Sequence, residues 1–82
     1  MSEELIKVYG TRWCGDCYRV KWLLDRHEIN YQWININQDS IAKDFVWQVN
    51  NGNLSVPTIA FADGSILTEP SNLELLTKLG LG

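Results

Sequence analysis

The chain has 82 residues, 45% of them hydrophobic, and a formal charge of −3 from seven Lys and Arg against ten Asp and Glu. That length admits one domain, spanning residues 1–82, and four tryptophans enlarge what would otherwise be a small core. The cations form no basic run, which argues against nucleic acid or an anionic membrane as partner. The start, Met1 to Val8, lacks a cationic segment followed by a long apolar one, and no apolar run nears the roughly 18 residues of a membrane span. The expectation is a soluble, monomeric, cytoplasmic protein. Thiols are kept reduced there, so Cys14 and Cys17 read as catalytic or metal-binding rather than as a permanent cross-link.

Leu5 to Tyr9 is apolar and partly β-branched, a first strand broken by Gly10 and Thr11. From Gly15 to about Glu28, Cys17, Val20, Leu23 and Leu24 recur at helical spacing, with the cysteines at the helix start. Tyr31 to Ile36 is a second strand, parallel to the first because a helix joins them. Asp39 caps a second helix running to about Asn50, with Ile41, Phe45 and Val49 on its inner face and Asn51-Gly52 at its end. Pro57 precedes strands Thr58 to Ala62 and Ser65 to Thr68, joined through Asp63-Gly64 as a two-residue hairpin turn. Ser71-x-x-Glu74 is a capping box opening a last helix through Leu73, Leu76 and Leu79, stopped by Gly80. The order βαβαββα predicts an α/β chain with a four-stranded mixed sheet and three helices, which is the order of the thioredoxin fold.

Cys14-Gly15-Asp16-Cys17 falls where the first strand gives way to the first helix. Unpaired N–H groups and the positive end of the helix dipole favour a thiolate there, so Cys14 is the candidate nucleophile. Cys17, about one turn on, is the candidate resolving thiol. A zinc site would need about four ligands, and only His27 remains as a nitrogen donor; its place near the end of the helix suits a capping role instead. A structural disulfide closing so short a loop would stabilise little. The redox reading is the stronger one, with no metal assigned within one chain.

The segments Thr11-x-Trp13-Cys14-Gly15-x-Cys17, Phe45-Val46-x-x-Val49-Asn50, Val56-Pro57-Thr58, Phe61 to Ser65 and Thr68-x-Pro70-Ser71 together resemble glutaredoxins, most of all the mycoredoxin branch. The resemblance implies a thiol–disulfide oxidoreductase with no tightly bound cofactor and a low-molecular-weight thiol, mycothiol or glutathione, as co-substrate. It implies a cis bond at Val56-Pro57 and a Val56 backbone that pairs with the bound thiol like an added strand. It places Arg12, Trp13, Val56, Pro57, Thr68 and Ser71 around that thiol. Asp16, where tyrosine is usual, is expected to modulate the cysteines. Users of glutathione carry a Gly-Gly-x-Asp-Asp segment where this chain reads Thr68 to Asn72, and Thr11 stands where a lysine is frequent, changes that favour a different thiol such as mycothiol. The implied partners are oxidised or thiolated proteins, with a flavin disulfide reductase as a further electron source. Two alternatives stand beside this reading: an electron donor reduced by a thioredoxin-type reductase, and a module carrying a metal or cluster between chains.

Overall fold

The computed structural model describes residues 5–81. They form β1 (Ile6–Gly10), α1 (Gly15–Arg26), β2 (Tyr31–Asn35), α2 (Ser40–Val49), β3 (Thr58–Ala60), β4 (Ile66–Thr68) and α3 (Asn72–Lys78). The strands make one mixed sheet in the order β2-β1-β3-β4. β1 runs parallel to β2, with Val8 opposite Trp33, and antiparallel to β3, with Val8 opposite Ile59. β3 and β4 are antiparallel. This is the architecture expected of the thioredoxin fold.

Local hydrogen bonds set where the helices begin and end. Asp39 accepts from the Ala42 N–H at 3.0 Å, and Ser71 and Glu74 form the reciprocal capping box. Each helix stops with a residue in the left-handed region: Glu28 (φ 55°) after α1, Asn51 (φ 56°) after α2 and Gly80 (φ 76°) after α3. The next N–H then reaches back to an otherwise unpaired carbonyl, Ile29 to Leu24 at 2.9 Å, Gly52 to Trp47 at 2.7 Å and Leu81 to Leu76 at 2.8 Å.

Alternation along β1 sends Val8 to one side of the sheet and Tyr9 to the other. On the first side Val8, Val20, Leu23, Leu24, Ile59 and Leu75 bury one another, so α1 and α3 share that face. On the second, Tyr9, Ile36, Ala42 and Val46 cluster beneath α2.

Three expectations from the sequence are corrected. The inner face of α2 is Ala42 and Val46 with half-buried Phe45, while Ile41 is 83% exposed and Val49 lies at the surface. The stripes through 41 and 42 have the same four-residue spacing, and the sheet selects the second because Ala42 and Val46 close over Tyr9 and Ile36, with Phe45 of the first stripe packed at their edge, its ring centroid 4.9 Å from that of Tyr9. In α3 the fully buried leucine is Leu75 and Leu73 is 70% exposed, since the core between α1 and β3 receives Leu75. The hairpin loop is Ala62-Asp63-Gly64 rather than two residues. Phe61 pairs with Ser65 at 3.0 Å, Gly64 donates to the Phe61 carbonyl at 3.0 Å, and Gly64 takes φ 88°. Strand and helix ends otherwise shift by one or two residues, α1 closing at Arg26.

Candidate active site

β1 ends at Gly10, and four residues later Cys14 stands as the N-cap of α1. Its Sγ accepts the Cys17 N–H at 3.1 Å, the role that Ser or Asp fills at an ordinary helix start. A sulfur in that place faces the unpaired N–H groups of the first turn, which favour negative charge. The Cys14 thiol also reaches the Val56 carbonyl at 3.8 Å, and the Val56–Pro57 peptide is cis. Thus four of the residues singled out from sequence, Cys14, Cys17, Val56 and Pro57, come together from α1 and the turn before β3.

Cys17 is fully buried. Burial first, then its hydrogen bond with Cys14, pushes its thiol up to about 12, with smaller contributions from the charges of Cys14 and Asp16. The two sulfurs therefore differ in kind: one partly open at the helix tip, one a sealed neutral thiol. Asp16 is exposed in the first turn of α1, where its effect on Cys17 is the weakest of these, and Arg19 Nε lies 3.6 Å from it.

Arg12 and Trp13 border the nucleophile from the loop after β1, and Trp13 is 89% exposed. Tyr18 pins that loop by donating to the Arg12 carbonyl at 2.7 Å. Thr68 and Ser71 lie on the far side of the proline turn, joined to it by the Glu69 N–H, which donates to the Pro57 carbonyl at 2.8 Å. The Thr68 hydroxyl donates to Asn50 Oδ1 at 2.6 Å, and Ser71 Oγ accepts the Glu74 N–H at 3.1 Å. His27 is the C-cap of α1, at the end remote from the cysteines. Among the described residues no group of three or more His, Cys, Asp or Glu is gathered into a metal-holding cluster.

Four residues that shape the site had no role in the sequence reading. Gly10 lies directly beneath Cys17: a Cβ there would come within 2.6 Å of Cys17 Sγ and 2.6 Å of the Trp33 ring. Only a residue without a Cβ leaves room there for both the Cys17 sulfur and the Trp33 ring. Asn50 ties three elements, donating to the Val46 carbonyl at 2.9 Å and to Thr58 Oγ1 at 3.0 Å while accepting from Thr68. Thr58 in turn donates to the Ser55 carbonyl at 2.7 Å, bracing the turn that carries Val56 and Pro57. The advance signals were Asn50 and Thr58 inside family-like segments and Gly10 before the cysteine loop.

Comparison with known proteins agrees with this geometry. The sequence profile of the glutaredoxin family matches residues 6–66. The "Putative glutaredoxin" of Mycobacterium tuberculosis is 46% identical over 79 residues, covering 96% of this chain and 94% of that protein. Mycoredoxin 1 of Corynebacterium glutamicum is 36% identical over 74 residues, covering 90% and 91%. Among solved structures, a mutant thioredoxin-like protein superposes with a TM-score of 0.84 at 22% identity over 98% of this chain and all (100%) of that one, a likeness of fold. The buckwheat glutaredoxin–glutathione complex gives 0.68 at 26% identity, covering 93% of this chain and 70% of that one. With a capped cysteine at the tip of α1, a buried partner one turn on and these relatives over most of its length, the chain belongs to the glutaredoxin family of thiol–disulfide oxidoreductases, close to mycoredoxin.

Proposed function

We propose that the protein reduces mixed disulfides between proteins and a small thiol, and protein disulfides, with Cys14 as nucleophile and Cys17 as resolving thiol. The observation that carries the reading is the contrast between the two sulfurs: Cys14 Sγ capping α1 beside the Val56 carbonyl, and Cys17 sealed beneath it. On a mixed disulfide, the Cys14 thiolate attacks the small thiol's sulfur and expels the protein thiolate. A second small thiolate then attacks that sulfur in the Cys14 adduct, yielding the small-thiol disulfide and restoring Cys14. On a protein disulfide, Cys14 becomes bonded to the substrate, which removes one charge and one hydrogen bond that hold Cys17 neutral. Cys17 loses its proton, attacks Cys14 Sγ and releases the substrate thiolate, which takes up a proton. The resulting Cys14–Cys17 disulfide is reduced by small thiols or by a flavin disulfide reductase.

The small thiol is read as mycothiol rather than glutathione, since Thr68 to Asn72 replaces the acidic segment of glutathione users and Mycoredoxin 1 is a close relative. Thr68 keeps free lone pairs and Ser71 a free O–H proton for its polar groups, and Arg12 and Trp13 flank its other side. A monomer working in the cytoplasm fits the scattered charges; among the described residues no helix is long and apolar enough to cross a membrane.

The test assays Cys14→Ser and Cys17→Ser on both substrate types, with mycothiol and glutathione in parallel. Cys14→Ser is expected to lose both activities. Cys17→Ser is expected to keep turnover of mixed disulfides and lose most turnover of protein disulfides, because an outside thiol competes poorly with an intramolecular one. A fully active Cys14→Ser overturns the assignment of the nucleophile, and equal or faster turnover with glutathione overturns the choice of thiol.

A further inference from the structure

Arg19 is the second residue after Cys17, on a helix whose other cations, Lys21 and Arg26, lie over the aromatic rings of Trp33 and Trp22. Its guanidinium is bound differently. Nη1 donates to Asn72 Oδ1 at 2.6 Å and Nη2 to the Pro70 carbonyl at 2.9 Å, while Nε faces Asp16 Oδ1 at 3.6 Å. One side chain thereby joins the Cys-x-x-Cys turn to Pro70 and to Asn72, the first residue of α3, across 51 and 53 residues of sequence. Its side chain is only 31% exposed, so these bonds are partly screened from water.

The segment it holds is anchored elsewhere by the Glu69 N–H on the Pro57 carbonyl, on the β3 side. Among the described residues Ser71 and Glu74 bond to each other at the start of α3 and make no side-chain bond to α1. Arg19 therefore supplies the polar link from α1 to Pro70 and Asn72, and with it the spacing between the cysteine turn and the wall carrying Thr68 and Ser71. A planar fork suits two acceptors held at fixed separation, which an ammonium cannot match. With Asp16 beside Nε and two neutral oxygens on the other nitrogens, the cation is occupied by the protein itself.

We propose that Arg19 is a positioning residue for the small-thiol co-substrate: by bridging Asp16, Pro70 and Asn72 it sets the width and register of the cleft beside Cys14. It acts through the segment before α3, not by pairing with an anionic group of the thiol. The proposal rests on the reading that a small thiol binds between Cys14 and Thr68 to Ser71.

The experiment measures kcat and KM for mycothiol, and separately for glutathione, with a peptide mixed disulfide as substrate. The variants are Arg19→Gln, Arg19→Lys, Asn72→Ala, the double Arg19→Gln/Asn72→Ala, and Arg26→Gln as a control on the same helix. Arg19→Gln is expected to raise the KM for mycothiol about tenfold with kcat changed less than about twofold, equivalent to about 1.4 kcal/mol of binding. Asn72→Ala, which keeps the packing of Arg19, is expected to raise KM in the same direction and to add nothing in the Arg19→Gln background. Arg19→Lys is expected to recover little, and Arg26→Gln to leave KM unmoved. An unmoved KM in folded Arg19→Gln or in Asn72→Ala overturns the proposal, as do additive effects in the double variant. Full recovery with lysine overturns it in favour of simple charge attraction. If the unmodified protein turns over with neither thiol, the small-thiol reading falls too, whereas turnover with unmoved KM sinks the role of Arg19 alone.

Discussion

The two faces of the sheet are built to different standards. Between the sheet and α1/α3, six residues are 5% exposed or less and pack as one cluster, and the cysteine turn grows directly from it. On the other face, among the described residues, α2 is the one helix that covers the sheet, leaving a groove of about 550 Å³ lined by Lys7, Tyr9, Gln32, Phe45, Ala60 and Ile66 among others. This groove lies away from the chemistry. A thiol exchange site needs a fixed nucleophile more than a deep pocket: its substrate brings its own sulfur and pairs with exposed backbone, and rigidity beneath Cys17 keeps the second sulfur in line. The dense face supplies that rigidity, and the thinly covered face carries the braces Asn50 and Thr58 that hold the proline turn.

This contrast breaks first if buried and surface positions respond alike. Leu24→Ala, on the dense face, is expected to cost about 2–5 kcal/mol, whereas Ile41→Ala on α2 is expected to stay within about 0.5 kcal/mol. Urea unfolding of both reads the difference, and a large loss at Ile41 would restore the inner face expected from sequence. Gly10→Ala comes next. The added methyl would overlap Cys17 Sγ and the Trp33 ring, and the expected cost is about 1–3 kcal/mol, together with slower release of protein-disulfide substrates as Cys17 is displaced. Unchanged stability and unchanged protein-disulfide turnover would mean that the floor of the site yields easily.

The smallest effect per step is that of pH, taken one unit at a time. Cys17 keeps its proton up to about 12 in the folded chain, while an unfolded thiol ionises near 8.5. The folded state then holds the extra proton between those values, so this group makes stability fall as pH rises through that window, by roughly 1 kcal/mol per pH unit. Below about pH 8 it contributes no slope. Denaturation of the reduced protein from pH 8 to 10.5, beside Cys17→Ala, should show the slope lessened in the variant. Parallel slopes would show that Cys17 is far less sealed than its burial indicates.

Much of this molecule was legible from residues a few positions apart. The capping Asp39, the box of Ser71 and Glu74, the stops at Asn51-Gly52 and Gly80, and the inner face Cys17, Val20, Leu23 and Leu24 are all written in short-range patterns. Hydrogen bonds over three to five residues depend on nothing farther away, so sequence determines them, and with them the element order and the placing of Cys14 at a helix start. The cis bond at Val56–Pro57 came from family likeness, since the residues alone leave it rare. What tertiary structure decided was every choice between locally equivalent options. The stripes through Ile41 and Ala42 are equal until Tyr9 and Ile36 meet Ala42 and Val46, and Gly10 is a mere strand breaker until Cys17 and Trp33 close over it. Arg19 is one more surface cation until Pro70 and Asn72 arrive from more than fifty residues away to take its fork. Those contacts exist only once the sheet has brought distant segments together, because their partners share no local period by which sequence could pair them.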